Sequence, residues 1–411
     1  MGAIISAPVS FVTSCFGSIF GQFLCSCCPK MDGPIGTRIA YALMLMFTAI
    51  LQTISMVPSV ASFLVRIPRI CPNNITTESC QLMAGYLSSY KIGFSYFLFS
   101  LLMTILSIGI KSKQSIRAKF HNSVHGIKLL MLSAFIIAGY ATPTTNGLLV
   151  FMRLAGFSGG LIFIVIQLIC VVDFAHLLNE SWLERIEAGG SQLWMFAQAI
   201  ISFGSIIGSV IIYTLILIYY GHLTLHIVIV TINIGLSIIG TVVSILPIVR
   251  EYQPTSGILQ SSLVSVYVSY LTWTAISSDP NSNFSFGSGL SSNVILATSL
   301  VLFILSVVYS VFSITITKRV HGTSDKDLGD GIVVDDDQPE YSYHTLHILL
   351  ALASLYVTMT LTSWLKSTSD IHAFVQNQGA VWIKASSSVI CWFIYIWTCV
   401  APCILTSREF H

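Results

Sequence analysis

The sequence has few charged residues. Only 9% of its 411 residues are Asp, Glu, Lys or Arg, whereas 54% are hydrophobic. Soluble domains carry about 25% charged residues, so a soluble fold of this length is excluded. Long apolar runs recur along the chain without the alternation of an outer-membrane barrel. The sequence therefore predicts an all-α protein that crosses the membrane many times.

Motifs of several large enzyme and metal-binding classes are also lacking. The chain has no P-loop, no HExxH and no Cys and His residues at zinc-site spacing. We therefore expect a protein that is not an enzyme and has no bound metal or cofactor. The formal net charge of +2 argues against a nucleic-acid partner.

Ten apolar segments are each close to the ~20 residues that a ~30 Å hydrocarbon core requires. The predicted spans are 39–62, 90–110, 127–143, 147–183, 192–219, 224–248, 257–277, 292–316, 344–365 and 379–405. They divide the chain into an apolar, Cys-containing N-terminal segment (1–38), spans one to eight (39–317), an acidic loop (318–342), spans nine and ten (343–405) and a tail (406–411).

The fourth span is the longest. No proline occurs between Gly147 and Glu187, so about 40 residues can form one helix of ~60 Å. Such a helix exceeds the bilayer core and must tilt or project from it. Its Gly156 and Gly160, with Gly159, form a GxxxG pattern that lets a neighbouring helix approach; alternatively, these glycines are simply common in membrane helices.

Basic residues and modification motifs predict the orientation. Thirteen of the 19 Lys and Arg residues fall on one side of the alternating spans, which places both termini in the cytosol. The sequons at Asn74 and Asn283 then lie in lumenal loops, although each alone can be an unused chance match. Cys71 and Cys80 share a lumenal loop and can form a disulfide. We expect an integral membrane protein of the endoplasmic reticulum, Golgi, vacuole, endosome or plasma membrane.

The N-terminal segment carries possible lipidation sites. Gly2 fits the N-myristoylation pattern, and Cys25, Cys27 and Cys28 precede the first span on the predicted cytosolic side, where palmitoylation is possible. Alternatively, the segment is an unmodified amphipathic helix at the membrane surface, or an eleventh span that would reverse the N-terminus.

Five ionisable residues follow one face of the long fourth span. At 100° per residue, Asp173, His176, Glu180, Glu184 and Glu187 fall within an arc of about 80°. A deep ionisable group costs several kcal/mol unless it is paired or wetted, so Asp173, His176 and Glu180 are candidates for a wetted polar groove. The alternatives are a structural contact with a neighbouring helix, or a helix that projects beyond the bilayer.

Further polar residues enter spans seven and ten. Gln260 and Ser261 begin span seven, and Lys384 lies about one turn inside span ten, followed by Ser386 and Ser387. Lys384 either extends to the lumenal surface or neutralises a phosphate or carboxylate, with the serine hydroxyls adding hydrogen bonds.

Four long blocks of the chain resemble the signature blocks of the serine incorporator family (SERINC, also TDE/TMS). The blocks are DFAHLLNESW (173–182), ILPIVREYQPTSGILQSS (245–262), YSYHTLHILLALASLYVTMTLTSW (341–364) and AVWIKASSSVICWFIYIWTCVAPCILTSREF (380–410). Their order and spacing fit over essentially the whole chain, and the short acidic loop is typical of a fungal or other lower-eukaryote member.

The resemblance implies a fold and several functions. It implies two helical bundles separated by a long tilted fourth helix, with assembly as a homo-oligomer such as a hexamer. It also implies ATP-independent scrambling of phospholipids as the leading function. The alternatives are a non-enzymatic carrier or scaffold that promotes serine incorporation into phosphatidylserine and sphingolipids, and a proton-coupled transporter of a small molecule.

Overall fold

The computed structural model describes residues 34–67, 70–71, 77–110, 112–188, 192–253, 256–279, 301–305, 307, 309, 341–362, 364 and 378–404. Its helices are α1 (Pro34–Ser55), α2 (Pro58–Leu64), α3 (Thr77–Ser107), α4 (Ile116–Asn122), α5 (His125–Ala141), α6 (Asn146–Glu187), α7 (Gln192–Tyr220), α8 (Thr224–Ile245), α9 (Pro247–Tyr252), α10 (Ile258–Ile276), α11 (Tyr343–Leu361) and α12 (Gln378–Ile404). These residues contain no strand, and the predicted all-α class is confirmed.

Membrane-spanning helices make up most of the described chain. Seven helices (α1, α3, α6, α7, α8, α11 and α12) are long and apolar enough to cross a membrane. Helices α4 and α5 form an eighth candidate that is bent by 80°. The predicted seventh span is α10, a 19-residue helix with many hydroxyl side chains. The prediction of a polytopic membrane protein is confirmed.

Several predicted features lie outside the described residues. They are the N-terminal segment before Pro34 with Gly2, Cys25, Cys27 and Cys28, the sequons at Asn74 and Asn283, most of the eighth span, the acidic loop up to residue 340, and the tail.

Helix α6 has the length that the sequence predicts. It runs without a break for 42 residues, which corresponds to about 63 Å. The chain folds into two compact units, and their boundary falls within this helix, after Gly160. The first unit comprises residues 1–160 and 311–361, and the second comprises residues 161–310 and 362–411.

In the first unit, α11 packs closely against α3. A side chain on Gly93 would place its Cβ only 1.8 Å from Oγ1 of Thr358. The missing side chain lets Ser354 donate a hydrogen bond to the Gly93 carbonyl at 2.7 Å, while Thr358 donates to Oε1 of Gln52 at 3.0 Å. A glycine and three polar side chains therefore hold α11 against α3 and α1, as is usual where lipid provides little hydrophobic driving force.

The glycines of α6 also make a close helix contact. A Cβ on Gly156 would lie 2.8 Å from Sδ of Met359, and a Cβ on Gly159 would lie 2.4 Å from Cδ1 of Leu355. Both partners belong to α11. Gly156 and Gly159 therefore leave room for side chains of α11.

Two basic residues that the orientation argument assigns to the cytosol are buried in the first unit. Arg38 is 2% exposed, with its guanidinium 4.6 Å from the ring centre of Tyr341. Lys128 is fully buried, and its Nζ donates to the carbonyl of His121 at 2.7 Å and lies 4.9 Å from the ring centre of Tyr41. Main-chain carbonyls and aromatic faces therefore surround these two basic groups in place of water.

Cys71 and Cys80 form a disulfide in the first unit, with their Cα atoms 6.0 Å apart. The bridge closes a loop of nine positions just before the apolar part of α3. Nearby, Ile70 is fully buried, and its carbonyl accepts a hydrogen bond from Thr144 at 2.7 Å. The chain at Ile70, next to the disulfide, is thus tied to the segment that precedes α6.

In the second unit, α10 is the central helix and contacts α7, α8 and α12. The apolar core contains the fully buried rings of Trp392 and Tyr395, which pack against Leu168 and Val172 of α6. The indole of Trp392 packs against α8 at Gly240. A Cβ on this glycine would lie 2.5 Å from a carbon of the indole ring. Helix α8 ends before Pro247, which has no N–H to continue it and instead starts α9.

Candidate functional site

Helix α8 carries a polar face along its whole length. The face consists of four residues spaced seven, four and seven positions apart: His226, Asn233, Ser237 and Ser244. At 100° per residue, their side chains point within an arc of about 40° around the helix axis. From first to last they extend about 27 Å, close to the ~30 Å hydrocarbon thickness. The opposite face exposes Ile232, Ile238 and other apolar side chains, as expected for a helix in contact with lipid.

Each residue of this face contacts a polar partner on α10, on α12 or next to α10. Asn233 donates from Nδ2 to Oγ of Ser388 at 3.1 Å. The hydroxyls of Ser237 and Ser265 are 2.8 Å apart, and Ser265 donates in turn to Ser209 at 3.3 Å.

Near the α9 end, the Ser256 hydroxyl donates to the carbonyl of Ser244 at 3.0 Å. We call the set of eight residues the polar seam: His226, Asn233, Ser237 and Ser244 with Asp279, Ser388, Ser265 and Ser256. The seam lies within the second unit.

Lys384 is anchored beside one end of the polar seam. Its Nζ donates to Oγ of Ser278 at 2.9 Å and to the carbonyl of Thr274 at 3.3 Å. Lys384 precedes Ser388 by four positions, so both face the same side of α12. Among the described residues, the Lys384 ammonium group thus bonds at the C-terminal end of α10.

His226 and Asp279 form a buried pair that sequence reasoning missed. Nε2 of His226 lies 2.8 Å from Oδ2 of Asp279, and the side chains are 1% and 3% exposed. Nδ1 of the same ring lies 2.9 Å from the carbonyl of Tyr220. The periodic placement of His226 with Asn233, Ser237 and Ser244 is the sequence signal that would have revealed this position.

The ionisable side chains of the predicted stripe on α6 are exposed or half-buried. Asp173 is exposed and accepts a hydrogen bond from the Tyr309 hydroxyl. His176 is half-buried, with Nε2 3.2 Å from Oγ1 of Thr398. Glu180, Glu184 and Glu187 are exposed. The structure therefore places the predicted acidic side chains on an accessible face of α6.

The remaining predicted groove residues are mostly bonded within their own helices. Gln260 and Ser261 are fully buried at the start of α10; Gln260 accepts from the N–H of Gly257, and Ser261 donates to the carbonyl of Ile258. The hydroxyls of Ser386 and Ser387 donate to the carbonyls of Trp382 and Ile383. These two serines do not add hydrogen bonds to Lys384; Ser278 does so instead.

Catalytic or metal-binding geometry is not found in the part of the chain that the structure describes. No group of three or more His, Cys, Asp or Glu side chains there is placed to hold a metal ion. Residues 156–160 match the pattern GxSxG, but Ser158 lies in mid-helix and donates to the carbonyl of Leu154. It does not occupy the strand-to-helix turn that makes such a serine a nucleophile.

Comparison with known proteins identifies the family. A sequence model described as Serine incorporator (Serinc) matches residues 13–338 and 321–408. The chain belongs to the serine incorporator family. It is 32% identical to a probable serine incorporator of Nematostella vectensis, with all of both chains covered. It is 29% identical to serine incorporator 3 of Mus musculus over the full length of both. It is 30% identical to serine incorporator 5 of Danio rerio, with 97% of this chain and 98% of that protein covered.

The family resemblance of the signature blocks is therefore confirmed. The block that begins at Asp173 lies on α6, and the block from residue 245 to 262 includes the end of α8 and the start of α10. The block from residue 380 onward supplies Lys384 and Ser388. Three of the four blocks thus lie entirely within the second unit.

Proposed function

We propose that this serine incorporator moves phospholipids between the two leaflets without ATP. The observation that carries the proposal is the polar seam, which extends along α8 for about the thickness of the hydrocarbon core. A head group that crosses this region needs polar partners, since an unpaired polar group in an apolar medium costs at least about 1–3 kcal/mol. The acyl chains stay in the surrounding lipid.

The seam can supply those partners when its helices part. The side chains of Asn233, Ser237 and Ser265 now bond across helices. Each of these groups can exchange its cross-helix partner for water or a head group. Serine hydroxyls keep an internal helix carbonyl as an alternative acceptor, so opening leaves them satisfied.

Lys384 beside the seam and the acidic residues of α6 fit a zwitterionic or anionic head group. Lys384, close to the predicted lumenal end, would pair with a phosphate oxygen in place of Ser278. Asp173 and Glu180 lie on the accessible face of α6, where their carboxylates would hold water and the amine of a serine or ethanolamine head group.

The proposal is tested with purified protein in liposomes that contain a fluorescent phospholipid and, on average, one protein copy per vesicle. A membrane-impermeant quencher then bleaches the outer leaflet. We expect protein-containing vesicles to lose fluorescence beyond the level of protein-free vesicles, with no ATP present. An unchanged protected fraction would contradict lipid scrambling.

A second function is favoured by the names of the relatives, which are serine incorporators. On this alternative the protein is a carrier or scaffold that promotes serine incorporation into phosphatidylserine and sphingolipids. Cells that lack the protein would then incorporate less labelled serine into these lipids, and the purified protein would not move lipid in the vesicle assay. The two assays together separate the two functions.

A further inference from the structure

The two ring nitrogens of His226 both face hydrogen-bond acceptors. Nδ1 lies 2.9 Å from the carbonyl oxygen of Tyr220, and Nε2 lies 2.8 Å from Oδ2 of Asp279. Both distances are those of good hydrogen bonds. A carbonyl oxygen only accepts, so the contact with Tyr220 requires a hydrogen on Nδ1.

A neutral imidazole cannot make both bonds when its partner is a carboxylate. It carries a single N–H, so after Nδ1 donates to Tyr220 the lone pair of Nε2 faces Oδ2 of Asp279. Two acceptors at 2.8 Å repel each other unless a hydrogen lies between them. That hydrogen sits either on Nε2, which makes His226 an imidazolium, or on the carboxyl group of Asp279. Both forms hold the same number of protons, one more than a neutral histidine beside a carboxylate.

Burial favours the same protonated state. The two side chains are 1% and 3% exposed, so water does not separate the two acceptor atoms. With the additional proton the pair is neutral overall. Without it the pair carries one negative charge, and burial disfavours the charged state of such a group.

The other titratable groups near the pair come from α12, from α7 and from the turn between α7 and α8. Lys384 donates to Ser278 and to the carbonyl of Thr274 rather than to the pair, but its positive charge opposes an additional proton. The ring of the exposed His222 lies 6.3 Å from the imidazole of the pair, and the ring of Tyr220 lies 6.2 Å from it. These groups act at a distance, whereas the acceptor contact is direct, so we expect the hydrogen bond to decide.

The additional proton joins the ends of three helices. Tyr220 is the last residue of α7, His226 lies in the first turn of α8, and Asp279 follows α10. The two hydrogen bonds of the imidazole therefore tie the ends of α7 and α10 to the start of α8. If the proton is lost, one of the two bonds is lost with it.

We propose that His226 and Asp279 form a binding site for one proton, which the folded protein retains at neutral pH. The bound proton holds the end of α10 against α8, at the predicted lumenal end of the polar seam. A rising lumenal pH therefore releases this end of the seam. Proton binding goes beyond lipid scrambling, because it requires no movement of lipid.

The test is the pH dependence of stability, measured by denaturant unfolding of the full-length protein in detergent between about pH 6 and 9. Above about pH 6.5 a histidine in the unfolded chain is mostly neutral, so the folded state binds one proton more than the unfolded state. Stability then falls as the pH rises. We expect the unfolding equilibrium constant to increase up to about tenfold per pH unit through this pair.

Asp279→Asn replaces the titrating group with a permanent donor. The amide N–H takes the position of the proton, so this variant should lose the contribution of the pair to the pH slope and remain stable at high pH. The matched control is His222→Gln, which removes an exposed histidine and should keep the wild-type slope. Equal slopes in wild type and Asp279→Asn would overturn the proposal.

A second measurement is made on the wild-type ring itself, so that the test does not depend on the folding of a variant. Nitrogen NMR of protein labelled in its histidine side chains distinguishes a protonated Nδ1 from a bare one. At about pH 8, where an exposed histidine is neutral, we expect a hydrogen on Nδ1 of His226. A ring with its hydrogen on Nε2 alone would contradict the proposal, because it is the ordinary donor to a carboxylate and holds no additional proton.

The vesicle assay separates this proposal from the proposed function. A pH slope that depends on Asp279, in a protein that moves no lipid, contradicts scrambling alone. Lipid movement by a protein whose pH slope is the same in wild type and Asp279→Asn contradicts the proton site alone.

Discussion

His226 of α8 and Asp279, just beyond α10, form a hydrogen-bonded pair that is buried within the second unit. The ring nitrogen and carboxylate oxygen are 2.8 Å apart, and neither side chain is more than 3% exposed. The carbonyl of Tyr220 holds the other ring nitrogen, so the imidazole is fixed on both sides. The pair joins the turn between α7 and α8 to the end of α10.

Removing one member of this pair should destabilise the protein strongly. His226→Gln removes the imidazole that pairs with the buried Asp279 carboxylate, which costs about 3 kcal/mol or more. We expect a lower thermal unfolding temperature in detergent, and a double variant with Asp279→Asn should recover much of the loss. His222→Gln is the matched control, since His222 is exposed. Equal effects of the two histidine variants would contradict a specific role for the pair.

Blocking the polar seam should slow lipid movement. Asn233→Leu replaces the amide that bonds to Ser388 with an apolar side chain in the middle of the seam. A head group at that level then loses a polar partner, and scrambling should fall about tenfold per folded molecule. The control is Thr231→Leu, on the exposed face of the same helix. The seam is not the path if both variants scramble at the wild-type rate.

Filling Gly240 should displace Trp392. The Cβ of Gly240→Ala would lie 2.5 Å from the indole, so overpacking should lower stability by about 1–3 kcal/mol. Gly235→Ala on the same helix meets nothing within 4 Å and should be neutral or slightly stabilising. Thermal unfolding of both variants checks the difference. Trp392→Leu in the Gly240→Ala background should reduce the destabilisation.

Glu180 tests the acidic face of α6. Glu180→Gln removes an exposed charge, so folding should be unaffected while scrambling slows roughly two- to fivefold. Glu187→Gln, closer to the helix end, should leave the rate unchanged. A fall in folded yield with an unchanged rate per folded molecule would instead assign Glu180 a structural role.

Glycosylation tests the predicted orientation. Enzymatic deglycosylation should increase the gel mobility of the protein, and Asn283→Gln should abolish part of that shift, because this sequon is predicted to be lumenal. Absence of any shift from Asn74 and Asn283 would contradict the assignment of both termini to the cytosol.

The sequence predicts the elements of the fold better than their contacts. The length of α6 follows from an apolar run without proline, and such a run has few alternatives in a bilayer. The disposition of Lys384 does not follow from its neighbours in sequence, because Ser278 is 106 positions away. The burial of Lys128 likewise depends on α1 and α4, whose rings and carbonyls only the folded chain assembles.

The sequence predicts the candidate site only in part, because its contacts also join residues that are far apart in the chain. Helical spacing identifies polar residues that share a face, as on α6, but does not show whether that face is buried or accessible. His226 was overlooked because a single histidine in an apolar run is usually a packing residue. Its function in the pair depends on Asp279, 53 positions later.

The corner between α4 and α5 illustrates the same dependence on tertiary contacts. Val124 has φ 58°, a left-handed conformation that costs a β-branched residue at least about 1–2 kcal/mol. The hydroxyls of Thr37 and Tyr41, both on α1, donate to the carbonyls of Asn122 and His121 beside this corner and compensate for the local cost. Residues 116–141 cut from the protein and placed in a micelle would therefore straighten into one helix, since the information for the bend resides in the rest of the first unit.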